Sequence, residues 1–208
     1  RRIIEEKTAI LDIGGGSIQI SLFDKDTLVS TQNLRLGVLR LQELLNHLNA
    51  GSTQMERLVD ELATAQLDDY KKLYLKDREI KNIIIVDDYL SPWAVRKAHE
   101  RGEVNAVVDR KAFSQLMEAL RTKGTTELAK RMDIAEEKVP LVYISAILTR
   151  RIAELMGAEL VWAPGVTLCD GIAYEYAEQN KMFRGEHDFA EDIIACALNI
   201  SKRYNGSS

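Results

Sequence analysis

The segment Ala9-Ile-Leu-Asp-Ile-Gly-Gly-Gly-Ser-Ile-Gln-Ile-Ser-Leu-Phe23 sets an acid, three consecutive glycines and a hydroxyl between two apolar runs. These residue types suit the capture of a phosphate. Without Cβ atoms, Gly14, Gly15 and Gly16 can take positive φ and let consecutive backbone N–H groups approach an anion closely, and Ser17 adds a hydroxyl donor. Asp12, at the end of the first run, is placed to hold a metal ion or a water beside that anion. Two other glycine-rich loops do not fit. No Gly-Lys-Ser/Thr follows the glycines and no helix follows the first run, so the P-loop and the dinucleotide fingerprint are both excluded. The alternative is a tight hairpin whose glycines serve only the turn.

The flanking runs and later segments bear on that choice. The loop resembles the second phosphate loop of the exopolyphosphatase and guanosine pentaphosphatase family, whose strand ends Asp-Ile/Leu-Gly-Gly-Gly-Ser-Thr-Glu. That family belongs to the actin, sugar kinase and heat-shock chaperone superfamily. Asn33-Leu-Arg-Leu-Gly-Val-Leu-Arg-Leu41 is similar to the family's Ser-Leu-Pro-Leu-Gly-x-Val-Arg-Leu, and Trp162-Ala-Pro-Gly-Val-Thr-Leu-Cys-Asp-Gly171 looks like its Gly-Val-Ser-Leu-Arg-Glu-Gly loop. Three motifs in the right order are more specific than one. The sequence departs from the pattern at Gln19, where the family has Glu, at Ile18, where it has Thr, and at Cys169 and Asp170, where Arg and Glu are usual. An amide at position 19 supplies an oxygen ligand but no charge.

The resemblance implies a phosphohydrolase that removes terminal phosphate from inorganic polyphosphate or guanosine pentaphosphate by direct attack of an activated water. In that scheme Gly14, Gly15, Gly16, Ser17 and Arg40 bind phosphate, Asp12 and Gln19 are the catalytic positions, and Asp12 holds Mg²⁺. It also implies an N-terminal lobe carrying Asp-x-Gly-Ser-Asn-Ser and a catalytic glutamate, which these residues do not contain. The expectation is therefore a fragment, inactive alone, in which residues 1–181 form the second lobe and 182–208 the truncated first helix of a C-terminal helical region. The expected fold class is α/β: an actin-like (ribonuclease H-like) lobe with a mixed five-stranded sheet and helices on both faces. Other readings stay open. The chain would also suit a non-catalytic regulator that binds polyphosphate or guanosine tetraphosphate, another actin-like ATPase or sugar kinase, or an interaction lobe whose helix 187–204 carries homodimer contacts.

Composition narrows the partners. The 208 residues are 46% apolar, enough for a sizeable core in one domain. A net charge of −4, from 28 basic and 32 acidic residues, gives no general attraction for nucleic acid or an anionic membrane. Polyanion binding would then rest on local geometry. Two cysteines, Cys169 and Cys196, suggest neither a metal framework nor a disulfide, which fits a reducing, cytoplasmic setting. No apolar run reaches the ~20 residues of a membrane helix. His47, His99 and His187 share no ligand spacing, and there is no Gly-x-Ser-x-Gly elbow.

The elements that hold these residues can be read from periodicity. Strands are expected at 8–13, 18–24 and 27–34 as an antiparallel meander, and Lys81–Asp87 reads as a buried parallel strand. Asp87 and Asp88 close that strand, where they would either contact a ligand or cap the next helix. Helices are expected over 38–48, over 53–75 with Thr53-x-x-Glu56 as a capping box, after Ser91-Pro92 with Ser91 as cap, and over 110–121 and 125–131. Asp68-Asp69 reads as a solvated face. A further helix over 141–156 stops at Gly157, and Ala158–Trp162 makes the last strand, with Asn105–Asp109 a short extended piece. Another helix starts at Thr167.

Overall fold

A computed structural model of the chain describes residues 7–25, 27–48, 51–103 and 106–164. The first three strands are β1 (Thr8–Ile13), β2 (Ile18–Asp24) and β3 (Thr27–Leu34). They pair antiparallel in sequence order, as their alternating pattern and short links require. After two helices, β4 (Asn82–Asp87) lies parallel to β1. The sheet is completed by β5 (Ala106–Asp109) and β6 (Leu160–Ala163), in the order β3-β2-β1-β4-β6-β5. The sheet thus has six strands rather than five. The short extended piece around Asn105–Asp109 is an edge strand, antiparallel to β6. Its four residues are too few to show a period, and only the pairing with β6 identifies it.

Alternation along the strands separates two faces. Ala9, Leu11 and Ile13 of β1, Ile18, Ile20 and Leu22 of β2, and Ile83 and Ile85 of β4 are buried in one core. That core is shared with α1 (Val38–His47), α2 (Ser52–Tyr70), α3 (Ser91–Glu100), α4 (Arg110–Thr122), α5 (Thr125–Met132) and α6 (Val139–Met156). The other face carries a small cluster of Ile10 and Ile84 with Phe23, Val86 and Trp162. All the described helices line the first face, and the helix expected from Thr167 lies outside the described residues. So do Cys169, Asp170, Cys196, His187 and segment 182–208.

Helix ends follow local chemistry, with two corrections. α6 stops at Gly157 in the left-handed region (φ 69°), as expected for a glycine that needs no Cβ clearance there. The helix expected over 53–75 is α2 up to Tyr70, continued by a π-turn at Lys71–Leu75. Thr53 is not at the cap position: Gly51 is the N-cap, and Thr53 falls inside the helix. Glu56 is used elsewhere. Its carboxylate accepts from Arg121 Nε and Nη2, both at 2.7 Å, from the Tyr143 hydroxyl at 3.1 Å and from Arg150. Arg150 Nη2 also reaches Asp60 Oδ2 at 3.0 Å. α2, α4 and α6 are thereby cross-linked through one acid. Asp68, Asp69, His47 and His99 are exposed, and no described helix is long and apolar enough to cross a membrane.

The Glu56 network has a pH signature. Hydrogen bonds from Arg121, then those from Arg150, outweigh burial and hold its carboxyl down at about 2, against an ordinary 4.5. A folded-state value below the unfolded one stabilises above pH 4.5, and the gain fades as pH falls toward 2. Glu56→Gln is expected to cost about 1–2 kcal/mol at pH 7, discounted for solvent screening, and much less near pH 2. Urea unfolding at the two pH values checks this, and an equal cost at both would disprove the linkage.

Candidate phosphate-binding site

β1 and β2 pair up to Ile13 and Ile18, so Gly14 to Ser17 are the whole connection between them. Within it the Gly14 amide donates to the Ser17 carbonyl at 2.9 Å. The glycines do not need positive φ: among the described glycines only Gly102 and Gly157 have it. What Gly15, with Gly37 facing it, supplies is room. A Cβ on Gly15 would lie 2.8 Å from Leu39 Cδ1, and one on Gly37 would lie 2.1 Å from the Gly15 oxygen and 2.2 Å from the Gly16 carbonyl carbon. The chain therefore returns along β3 and begins α1 directly on the loop, backbone against backbone. The first amides of α1 are spent there. Val38 N donates to Gly14 O at 3.0 Å, and Leu39 N and Arg40 N donate to Gly15 O at 3.0 and 3.1 Å. Arg40 is exposed in this first turn, with its backbone tied to the loop.

The two contacts predict unequal costs. Gly15→Ala presses on the far end of Leu39, a side chain 46% exposed and free to turn aside, so the expected loss of stability is below about 1 kcal/mol. Gly37→Ala meets backbone that cannot yield without moving α1, and about 1–3 kcal/mol is expected. Thermal or urea unfolding of the two variants measures the difference, and equal losses would contradict it.

Beside the loop, Asp12 of β1 pairs with Gln19 of β2, and Gln19 in turn with Asn33 of β3. The three side chains form a row on the face away from the main core. Gln19 Nε2 is buried there with no hydrogen-bond partner among the described residues. Asp12 is exposed at the strand end, and its carboxyl is pushed up, first by partial desolvation against the sheet and then by the charges of Asp88 and Asp87. Parallel pairing of β1 and β4 accounts for the charge contribution, because it sets Ile13 level with Asp87 and so puts Asp88 past the end of β4 near Asp12. The two neighbouring acids have separate fates. Asp87 is buried and accepts from Leu90 N at 2.8 Å, Ser91 N at 2.7 Å and Ser145 Oγ at 2.7 Å. It caps α3. Ser91, expected to do so, is the helix's first residue, and Leu90 holds the N-cap position. Asp88 is exposed, and its charge acts on Asp12.

Asp12, Gln19 and the Gly14–Ser17 loop are thus brought together, with Arg40 on the adjoining helix turn. Gly37 joins them, although its residue type carries no chemical signal. Asp88, which the sequence leaves open as a ligand contact or a cap, lies here too, at a position that follows from the strand order. Among the described residues, no three His, Cys, Asp or Glu side chains are grouped to hold a metal ion. Mg²⁺ asks less of a protein, since it keeps several waters and takes one or two carboxylates plus phosphate oxygens. Asp12 and Asp88, which repel each other without a cation, fit that requirement. A groove of about 490 Å³ lies elsewhere, lined by Arg110, Phe113, Met117, Arg150 and Val161. It opens at the other end of the parallel strands, where Leu160 pairs with Asn82.

No family profile and no curated protein matches this sequence. Solved structures do match its fold. A Ppx/GppA phosphatase of Aquifex aeolicus, in its type II variant, superposes with a TM-score of 0.62 at 12% identity, covering 76% of this chain and 52% of that one. An exopolyphosphatase from Cytophaga hutchinsonii gives 0.61 at 14% identity over 84% of this chain and 58% of that one. An exopolyphosphatase-like protein gives 0.63 at 15% identity, over 83% and 58% respectively. The chain spans a little over half the length of the solved structures it matches. It therefore has the α/β, actin-like fold of Ppx/GppA domains, with a six-stranded mixed sheet.

Proposed function

We propose that this chain is the second lobe of a phosphohydrolase acting on inorganic polyphosphate or guanosine pentaphosphate, and that Gly14, Gly15, Gly16 and Ser17 are its phosphate loop. The observation that carries the reading is the glycine hairpin with Asp12 at its edge, in a fold shared with exopolyphosphatase structures. Loop amides and the Ser17 hydroxyl would hold phosphate oxygens, with Arg40 supplying positive charge from α1. Asp12 and Asp88 would hold Mg²⁺, which when bound neutralises phosphate charge. Asp12 would also orient the attacking water. Such chemistry rests on positioning and charge neutralisation, and it needs no covalent nucleophile.

A lobe of this kind should bind but not turn over. Tripolyphosphate titrated calorimetrically into the chain should bind, and a phosphate-release assay on the chain alone should find no Mg²⁺-dependent turnover, because half a clamp cannot hold nucleophile and leaving group together. Turnover abolished by Asp12→Asn would overturn the half-site reading, and absence of binding would overturn the phosphate loop. One observation favours a second reading. Gln19 places an unpartnered neutral amide beside Asp12, which suits a regulator that binds polyphosphate or guanosine tetraphosphate without hydrolysing it. That reading predicts binding without turnover even when the chain is joined to an N-terminal lobe.

A further inference from the structure

We infer that α1 is the positioning element of the phosphate loop, and that Gly37 is the positioning residue that lets it act. The inference rests on the phosphate-loop reading and goes beyond it by saying what aims the loop. Each peptide unit is planar and, in this structure, trans, so its C=O and N–H point in opposite directions. The Gly14 carbonyl and the Gly15 amide belong to one such unit, and the Gly15 carbonyl and the Gly16 amide to the next. Val38 N holds the first carbonyl toward α1 at 3.0 Å. Leu39 N and Arg40 N hold the second toward α1 at 3.0 and 3.1 Å. The amides of Gly15 and Gly16 are thereby both turned away from α1, and neither has a backbone partner among the described residues.

Two consecutive amides facing one way form the concavity that binds an anion. A glycine hairpin on its own would not keep them so, because glycine peptide units rotate at little cost. α1 supplies the restraint with three hydrogen bonds, and it can come close enough only because Gly37 has no Cβ. The positive end of the α1 dipole is in consequence directed at loop carbonyls and not at the ligand. Any attraction α1 exerts on phosphate comes from the orientation it imposes and from Arg40.

The test uses this 208-residue chain with tripolyphosphate as probe, ¹⁵N–¹H NMR of the Gly15 and Gly16 amides, and the Trp162 indole resonance as a control for the distant fold. Gly37→Ala should shift the two glycine amides, speed exchange at Val38, Leu39 and Arg40, and weaken tripolyphosphate binding by about tenfold or more, while the Trp162 signal stays in place. Val38→Pro guards against a folding failure. Gly37 already has the extended geometry (φ −75°, ψ 147°) that a following proline requires, and proline is well tolerated at the first helical position. This variant replaces the donor to the Gly14 carbonyl with a ring carbon that pushes that oxygen away from α1, so it should turn the first peptide unit and weaken binding while the helix itself keeps its φ. Unchanged affinity in both folded variants overturns the inference while leaving the phosphate loop standing. No binding by the unaltered chain overturns the phosphate loop, and the inference with it.

Discussion

Asp87→Ala should lower the unfolding free energy by about 3–5 kcal/mol, while Asp88→Ala, one residue away, should change it by less than about 0.5 kcal/mol. Asp87 is buried, and its two oxygens take the amides of Leu90 and Ser91 and the hydroxyl of Ser145. Those bonds join β4, the start of α3 and the middle of α6. Alanine would leave three donors without an acceptor in a dry place, each at a cost of roughly 1–3 kcal/mol, partly recovered where water enters. Asp88 is exposed, and its main effect is to raise the Asp12 carboxyl. Removing it should let Asp12 titrate closer to the ordinary carboxylate range. Urea unfolding and carboxyl ¹³C titration read the two effects, and comparable stability losses for the two variants would contradict the division of labour.

That pair shows what the sequence could reveal. Two adjacent acids at the carboxyl end of a buried strand read as either ligands or caps, and the cap reading holds for Asp87 while Asp88 is left exposed beside the loop. Choosing between them needs the sheet order, because only the β1–β4 pairing puts Asp88 beside Asp12 and only α6 brings Ser145 to Asp87. Strands β1 to β4 and the helices themselves, though not all their ends, are legible because their apolar residues repeat with the strand or helix period over six or more residues. β5 is shorter than that. Glu56 misled for a related reason: Thr53-x-x-Glu56 is a local signal for a cap, but its carboxylate is held by Arg121 and Arg150, far along the chain. The positive φ that the sequence suggests for the loop glycines is not adopted by any of the three. The reason for a glycine at Gly15 is the approach of α1, a contact between residues 15 and 37 that no local pattern encodes, whereas a Cβ on Gly16 would meet nothing.

The Gln19→Glu variant should make the site depend on a cation. In the chain as it stands, the buried Nε2 of Gln19 adds no charge to a corner already holding Asp12 and Asp88. A carboxylate of nearly the same shape would add a third negative group opposite Asp12, and each acid would raise the others. Acids whose folded values are raised destabilise the fold once pH rises past their unfolded values, so the variant should lose about 1–2 kcal/mol at pH 7 relative to pH 4. Mg²⁺ should return that loss in the variant and do much less for the unaltered chain, since glutamine offers the ion an oxygen without a charge. With an N-terminal lobe joined to it, the same change should raise phosphate release at limiting Mg²⁺ by about tenfold, and the gain should shrink as the metal saturates. Thermal unfolding with and without Mg²⁺ separates the cases before any activity is measured. A variant whose stability ignores both pH and Mg²⁺ would place position 19 outside the metal's reach, leaving Asp12 and Asp88 as the groups that must hold it.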